Sequence, residues 1–153
     1  MNVELINPFL KATTNVIKTM AFTEVVPGKP YLKKDGPAGG DISGIIGITG
    51  ETDGSMSISF SEGCICQIVS NMFGESVTQI NKEVEDAVGE ITNMISGDAR
   101  RELAEKGHVL KGAIPSVISG KNHTIKHMSN GPAIAIPFST AGGHFIVEVC
   151  FNS

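Results

Sequence analysis

Two neighbouring polar residues give this chain its best candidate for chemistry: the carboxylate Glu90 and the amide Asn93. On a helix with about 100° between successive residues, four residues fall within one narrow arc: Asp86, Glu90, Asn93 and Gly97. An exposed helix face usually carries lysines and other long charged side chains, whereas this arc has a carboxylate and a short amide beside a glycine. We interpret the arc as a surface on which a partner docks. A solvated face without function is the alternative.

An apolar stripe on the opposite side of the same helix predicts how the arc is oriented. Seven residues form the stripe: Val84, Ala87, Val88, Ile91, Met94, Ile95 and Ala99. An amphipathic helix buries such a stripe against a core, so the polar arc is expected to face solvent.

Glu90 and Asn93 do not make a hydrolase by themselves. Residues three apart on a helix are surface neighbours, but an exposed Glu beside an Asn is a weak constellation for hydrolysis. The sequence also offers no nucleophile with an activating base beside it. The site is therefore incomplete without a partner.

The cysteines and histidines do not predict a metal centre. Cys64 and Cys66 are two apart in a predicted helix, where their side chains diverge. His123 and His127 are four apart in a predicted strand, roughly 13 Å along it. The two histidines without an obvious partner are His108 and His144.

The composition predicts one domain, residues 1–153, with its own core. The chain has 12 basic and 16 acidic residues and no run of Lys or Arg, which argues against nucleic acid and anionic lipid as partners. No segment approaches about 18 consecutive apolar residues, and the amino terminus lacks a signal-peptide pattern. We therefore expect no membrane association and a cytoplasmic location. The three cysteines are expected to be free thiols.

The apolar periodicity predicts amphipathic helices and an antiparallel sheet. Helices are predicted at residues 2–20, 61–73 and 82–106. Strands are predicted at 42–50, 54–60, 108–119, 123–128, 132–139 and 144–151, with an edge strand or an irregular extended segment at 24–33 and a loop at 34–41. Because helices and strands are segregated along the chain, the fold class is α+β, with amphipathic helices covering an antiparallel sheet.

The glycine-rich strand Gly44–Gly50 does not predict a nucleotide-binding loop. Its spacing fits neither G-x-G-x-x-G nor the P-loop, and no Lys-Ser or Lys-Thr pair follows it. Close packing against the strand is the better explanation.

The spacing of Asp86, Glu90, Asn93 and, 22 residues after the Asn, Pro115 resembles the signature of the CheC/CheX/FliY family of chemotaxis phosphatases. That signature has Asp or Ser, three residues, Glu, two residues, Asn, and then a distant proline. The resemblance extends to the predicted hairpin at 44–60, to the long helix and to the strand after it. It covers nearly the whole chain.

This resemblance implies an enzyme that hydrolyses the aspartyl phosphate of a CheY-like response-regulator receiver domain. It assigns to Asn93 the orientation of the attacking water, and to Glu90 a salt bridge with the receiver's lysine beside the phosphate. Asp86 and Pro115 would support these two residues, and Gly97 would let the partner's backbone come close. Mg²⁺ is expected in the receiver, and no cofactor is expected in this chain.

The resemblance also implies a homodimer that joins two sheets edge to edge, for which the apolar runs 44–50 and 144–151 are candidates. Two alternatives to the enzyme stay open. One is a non-catalytic receiver-binding or flagellar-switch module of the same fold, and the other is a structural homo-oligomer whose polar arc is only solvated. The residues do not encode which receiver is recognised, or whether the pathway is chemotaxis or another two-component system.

A second Glu-x-x-Asn occurs at Glu4–Asn7. It lacks the preceding acid, is followed at once by Pro8, and has Lys29 where the distant proline would stand. We interpret it as a degenerate copy without activity.

Overall fold

The computed structural model describes residues 3–33, 40–121, 123 and 132–152. Within these ranges the chain forms the helices α1 (Val3–Ala21), α2 (Glu62–Phe73) and α3 (Lys82–Glu105). The strands are β1 (Val26–Pro27), β2 (Tyr31–Lys33), β3 (Ile42–Gly50), β4 (Gly54–Phe60), β5 (Leu110–Gly112), β6 (Ser116–Ser119), β7 (Ala133–Thr140) and β8 (Gly143–Phe151). The predicted α+β class is confirmed.

The described strands form one antiparallel sheet in the order β1-β7-β8-β4-β3-β5, with β2 also on β7 and β6 also on β3. Both β3 and β8 lie inside this sheet, paired on both sides. The prediction that the runs 44–50 and 144–151 leave an open edge was therefore wrong. Their apolar character comes from burial within the sheet, and the edges of the described sheet are β1 with β2 and β5 with β6.

The helices cover one face of the sheet. Along β4 the residues Met56, Ile58 and Phe60 alternate with serines and enter the same core as the apolar side of α3. That side buries Val84, Ala87, Val88, Ile91, Ile95 and Ala99, and Met94 is half-buried. The predicted orientation of α3 is confirmed, with the polar arc turned away from the core.

Local capping fixes where the two helices near the candidate site begin. Ser61, the N-cap of α2, accepts a hydrogen bond from the Cys64 amide at 3.3 Å. Asn81 does the same for α3, accepting from the Val84 amide at 2.9 Å. Gly74 follows the last residue of α2, and its φ of 68° is the left-handed conformation common after a helix.

The predicted strand 108–119 is two strands with an irregular segment between them. β5 pairs Gly112 with Ile48, whereas β6 pairs Ser116 with Ile45, so the three residues 113–115 face only two residues of β3. One extra residue in one strand is a β-bulge, which bends the strand and is common at sheet edges. Pro115, which has no N–H to donate, ends this bulge.

Two other predicted segments fall largely outside the described residues. Of the run 123–128 only His123 is described, and it is not in a strand. Of the loop 34–41 only residues 40 and 41 are described. In the part of the chain that the structure covers, no helix combines the length and apolar character needed to cross a membrane.

Candidate functional site

α3 presents the predicted polar arc to solvent along its first two-thirds. Asp86, Glu90 and Asn93 are exposed, and Gly97 is half-buried. Among the described residues, neither the Glu90 carboxylate nor the Asn93 amide has a hydrogen-bond or ion-pair partner. Both side chains are therefore available to a second molecule, on a helix whose opposite side is fixed in the core.

Asp86 is engaged within its own helix. Its Oδ1 lies 2.6 Å from Nζ of Lys82, one turn earlier, and both side chains are exposed. The hydrogen bond with Asp86 raises the pKa of Lys82. Asp86 thus differs from Glu90, because its charge is already partly matched by a cation of this chain.

A buried contact at the residue before Asn93 limits how far α3 lies from the sheet. Thr92 is fully buried, and its hydroxyl donates to the Val88 carbonyl at 2.6 Å. It lies directly over Gly44 of β3, so closely that a Cβ on Gly44 would overlap the Thr92 hydroxyl. The predicted close packing of the glycine-rich strand is confirmed at this position. Sequence reasoning did not single out Thr92, since a threonine in an apolar stripe carries no signal of its strand partner.

Pro115 lies on the sheet edge beside α3, in the bulge between β5 and β6, and is half-buried. Contacts with α3 flank it on both sides. On one side, Val117 would lie 3.6 Å from a Cβ on Gly89. On the other, the Arg100 guanidinium lies against Gly112, and its Nε donates to Ser96 Oγ at 3.1 Å. This arrangement fits a supporting role for Pro115.

Gly97 has no packing reason to be glycine. A Cβ there would meet only Nη2 of Arg100, at 3.9 Å. Because glycine in a helix interior costs about 1 kcal/mol relative to alanine, its presence fits a position kept clear for a partner. That role stays a prediction.

His108, which had no obvious partner in the sequence, lies between two carboxylates. Its Nδ1 is 2.9 Å from Glu51 and its Nε2 is 3.7 Å from Glu4. The hydrogen bond with Glu51 raises the pKa of His108. The expectation was wrong because these partners are far away in the chain. Glu4, the acid of the second Glu-x-x-Asn, is thus placed beside His108.

His123 and His144 also have partners. His123 Nδ1 donates to the Gly120 carbonyl at 2.7 Å, which leaves Nε2 to accept from Ser43 Oγ at 2.6 Å. Ser43 is fully buried within the sheet, so this pair fixes His123 to β3. His144 Nδ1 lies 3.3 Å from Ser139 Oγ.

The cysteines are free and buried, as predicted: Cys64, Cys66 and Cys150. Burial raises the pKa of the Cys64 and Cys66 thiols, which disfavours the nucleophilic thiolate. Across the described ranges, no group of three or more His, Cys, Asp or Glu side chains is placed to hold a metal ion.

A family model and a related protein name the same family. The family model for chemotaxis phosphatase CheX matches residues 42–139, a range that contains Glu90, Asn93 and Pro115. A CheY-P phosphatase CheX from Thermotoga maritima is 29% identical over 140 residues, which are 91% of this chain and 89% of that protein.

Two solved structures extend the similarity to the fold. Chemotaxis protein CheX from Vibrio vulnificus has a TM-score of 0.92 at 51% identity, covering 97% of this chain and 99% of that one. A CheX–CheY–BeF3–Mg²⁺ complex from Borrelia burgdorferi gives a TM-score of 0.84 at 27% identity over 97% of both chains. Because Asp86, Glu90 and Asn93 share the exposed face of α3 and the family model matches residues 42–139, this chain belongs to the chemotaxis phosphatase CheX family.

Proposed function

We propose that this protein hydrolyses the aspartyl phosphate of a CheY-like receiver domain, using Glu90 and Asn93. The observation that carries the proposal is that both side chains are exposed and unpartnered within the described chain, less than one turn apart on a helix that the core fixes. The Thermotoga maritima relative is a CheY-P phosphatase, and the Borrelia burgdorferi relative forms a complex with CheY.

An acyl phosphate needs little covalent help from a second protein. Its hydrolysis passes through a loose transition state in which positioning and charge stabilisation supply most of the catalysis. Asn93 would enter the receiver's site, where its amide holds a water in line with the phosphorus. The buried contact between Thr92 and Gly44 would keep the backbone at Asn93 from shifting during this step.

Glu90 would anchor the complex. Its carboxylate has no cation of its own within the described residues, so it can pair with the receiver's lysine beside the phosphate. Asp86 keeps its charge directed at Lys82 and supports this face from one turn away. The Mg²⁺ that neutralises phosphoryl charge belongs to the receiver, and this chain contributes no cofactor.

The alternative is a binding or flagellar-switch module that recognises receivers without hydrolysing their phosphate. Phosphate release from a phosphorylated CheY receiver, measured with and without this protein, separates the two functions. Acceleration supports the phosphatase, whereas binding without acceleration supports the module. If there is neither binding nor acceleration, the polar arc is only a solvated surface.

A further inference from the structure

A groove beside Glu90 lies where the ends of α1 and α2 meet the first half of α3. It has a volume of about 600 Å³, and its apolar lining comes from Met20, Met72, Phe73 and Ala87. The remaining lining is charged: Lys82, Glu83, Asp86 and Glu90. We call this surface the helix-end groove.

We propose that the helix-end groove binds an amphipathic segment of the receiver, with an apolar side chain among Met20, Met72 and Phe73 and basic side chains against the carboxylates. This inference rests on the proposed function and adds to it the surface that determines receiver affinity. Asp86 and Glu90 belong both to the groove and to the polar arc of α3. A receiver seated over Glu90 and Asn93 therefore overlies the groove as well.

The apolar part of the groove is suited to a protein partner. Phe73 is 49% exposed and stands at the end of a helix that buries Cys64, Ile65, Cys66, Ile68 and Val69. Methionine side chains are flexible and polarizable, and are common on surfaces that bind amphipathic segments. Aromatic residues and methionine are enriched at protein interfaces, which suits Phe73 and the two methionines to contact with a partner.

The charged part of the groove indicates which charge the partner segment carries. Three carboxylates and one ammonium line it, and the ammonium of Lys82 is already paired with Asp86 at 2.6 Å. Glu83 and Glu90 therefore leave the groove acidic. A segment that carries Lys or Arg beside its apolar residue complements this surface.

The groove is preformed by contacts within this chain. The Asn71 amide of α2 donates to Thr23 Oγ1 at 3.1 Å and so holds the end of α2 against the segment that follows α1. Between Met20 and Thr23, Phe22 has a φ of 51°, a left-handed conformation that a phenylalanine seldom adopts. Its side chain is 81% exposed, so burial does not compensate for this conformation. Phe22 directly follows the end of α1, where a left-handed residue commonly ends a helix, so this conformation fixes the turn after α1.

The test uses the full chain and a CheY receiver loaded with beryllofluoride and Mg²⁺. Phe73→Ser and Glu83→Lys should each weaken receiver binding about 10-fold, while kcat for phosphate release at saturating receiver stays unchanged. Phe73→Leu should restore most of the affinity. Val109→Ser, which removes a 64% exposed apolar side chain beyond the other end of α3, should bind like the wild type.

Unchanged affinity in either Phe73→Ser or Glu83→Lys overturns the proposal. A change in self-association without a change in receiver affinity also overturns it and assigns the groove to a second copy of the chain. A failure of the proposed function is a different result. If the wild-type protein binds the receiver without releasing phosphate, the catalytic proposal is wrong, and the affinities of the variants still test the groove.

Discussion

Thr92 lies over Gly44 so closely that the strand can carry no side chain at this position. The contact joins the residue before Asn93 to strand β3, and both residues are buried. The exposed amide is therefore held from behind by a contact that involves neither solvent nor partner.

Gly44→Ala is expected to destabilise the fold by about 1–3 kcal/mol, because the new methyl group forces α3 away from the sheet. It should also lower phosphatase activity, since Asn93 moves with the helix. Chemical unfolding measures the first effect. Gly47→Ala is the matched control on the same strand, because a Cβ there would meet only Ala113 at 3.9 Å. Thr92→Ala should partly rescue Gly44→Ala, and strict additivity of the two changes would contradict the contact.

His108 is expected to make stability depend on pH. Its pKa is raised in the folded protein by the hydrogen bond with Glu51, so its protonated form stabilises the fold below its unfolded pKa. That contribution is lost as pH rises through the folded pKa. His108→Gln should therefore lower the melting temperature more at about pH 5.5 than at about pH 9. His144→Gln, at an exposed histidine that has no carboxylate within ion-pair distance among the described residues, should show no such difference.

The local elements could be predicted from the sequence, because the spacing of apolar and polar residues that specifies them lies within a short stretch of the chain. The polar arc and the apolar side of α3 and the hairpin of β3 and β4 are of this kind. Features that depend on distant partners could not be predicted. The bulge before Ser116 is visible only against β3, and the pairing of His108 with Glu51 joins residues 57 apart.

The order of the strands in the sheet could not be predicted from local sequence patterns either. An apolar run such as 144–151 is equally consistent with an uncovered edge and with an interior strand, and only the pairing of β8 with β4 and β7 decides between them. The helix-end groove is formed by residues of three separate helices, so no single segment of the sequence could predict it.

We predict a homodimer in solution, joined through an edge that the described sheet leaves open. On β2 the side chains of Tyr31 and Leu32 are exposed, as is Ile118 on β6. An unpaired edge with exposed apolar residues favours pairing with a second chain. Light scattering at micromolar concentration should give twice the chain mass of 16.1 kDa. A monomer at that concentration would count against the prediction.

Glu90→Ala should weaken receiver binding and also lower kcat/KM, because a salt bridge with the receiver's lysine exists before and during the reaction. Glu90→Lys should weaken binding further, since it places like charges together. Affinity for a beryllofluoride-loaded receiver measures the effect. Glu105→Ala, an exposed carboxylate at the end of the same helix, is the control and should leave affinity unchanged.

The most direct test of the central claim is phosphate release from a phosphorylated CheY receiver by the Asn93→Ala variant. The account predicts that kcat falls on the order of 10²-fold, as is typical when one preorganised polar group is lost, while receiver affinity stays nearly unchanged. Asn15→Ala, at an exposed asparagine of α1, should retain full activity. The melting temperature of Asn93→Ala should remain within about two degrees of the wild type, because the side chain is exposed. Full phosphatase activity in a folded Asn93→Ala variant would contradict the mechanism.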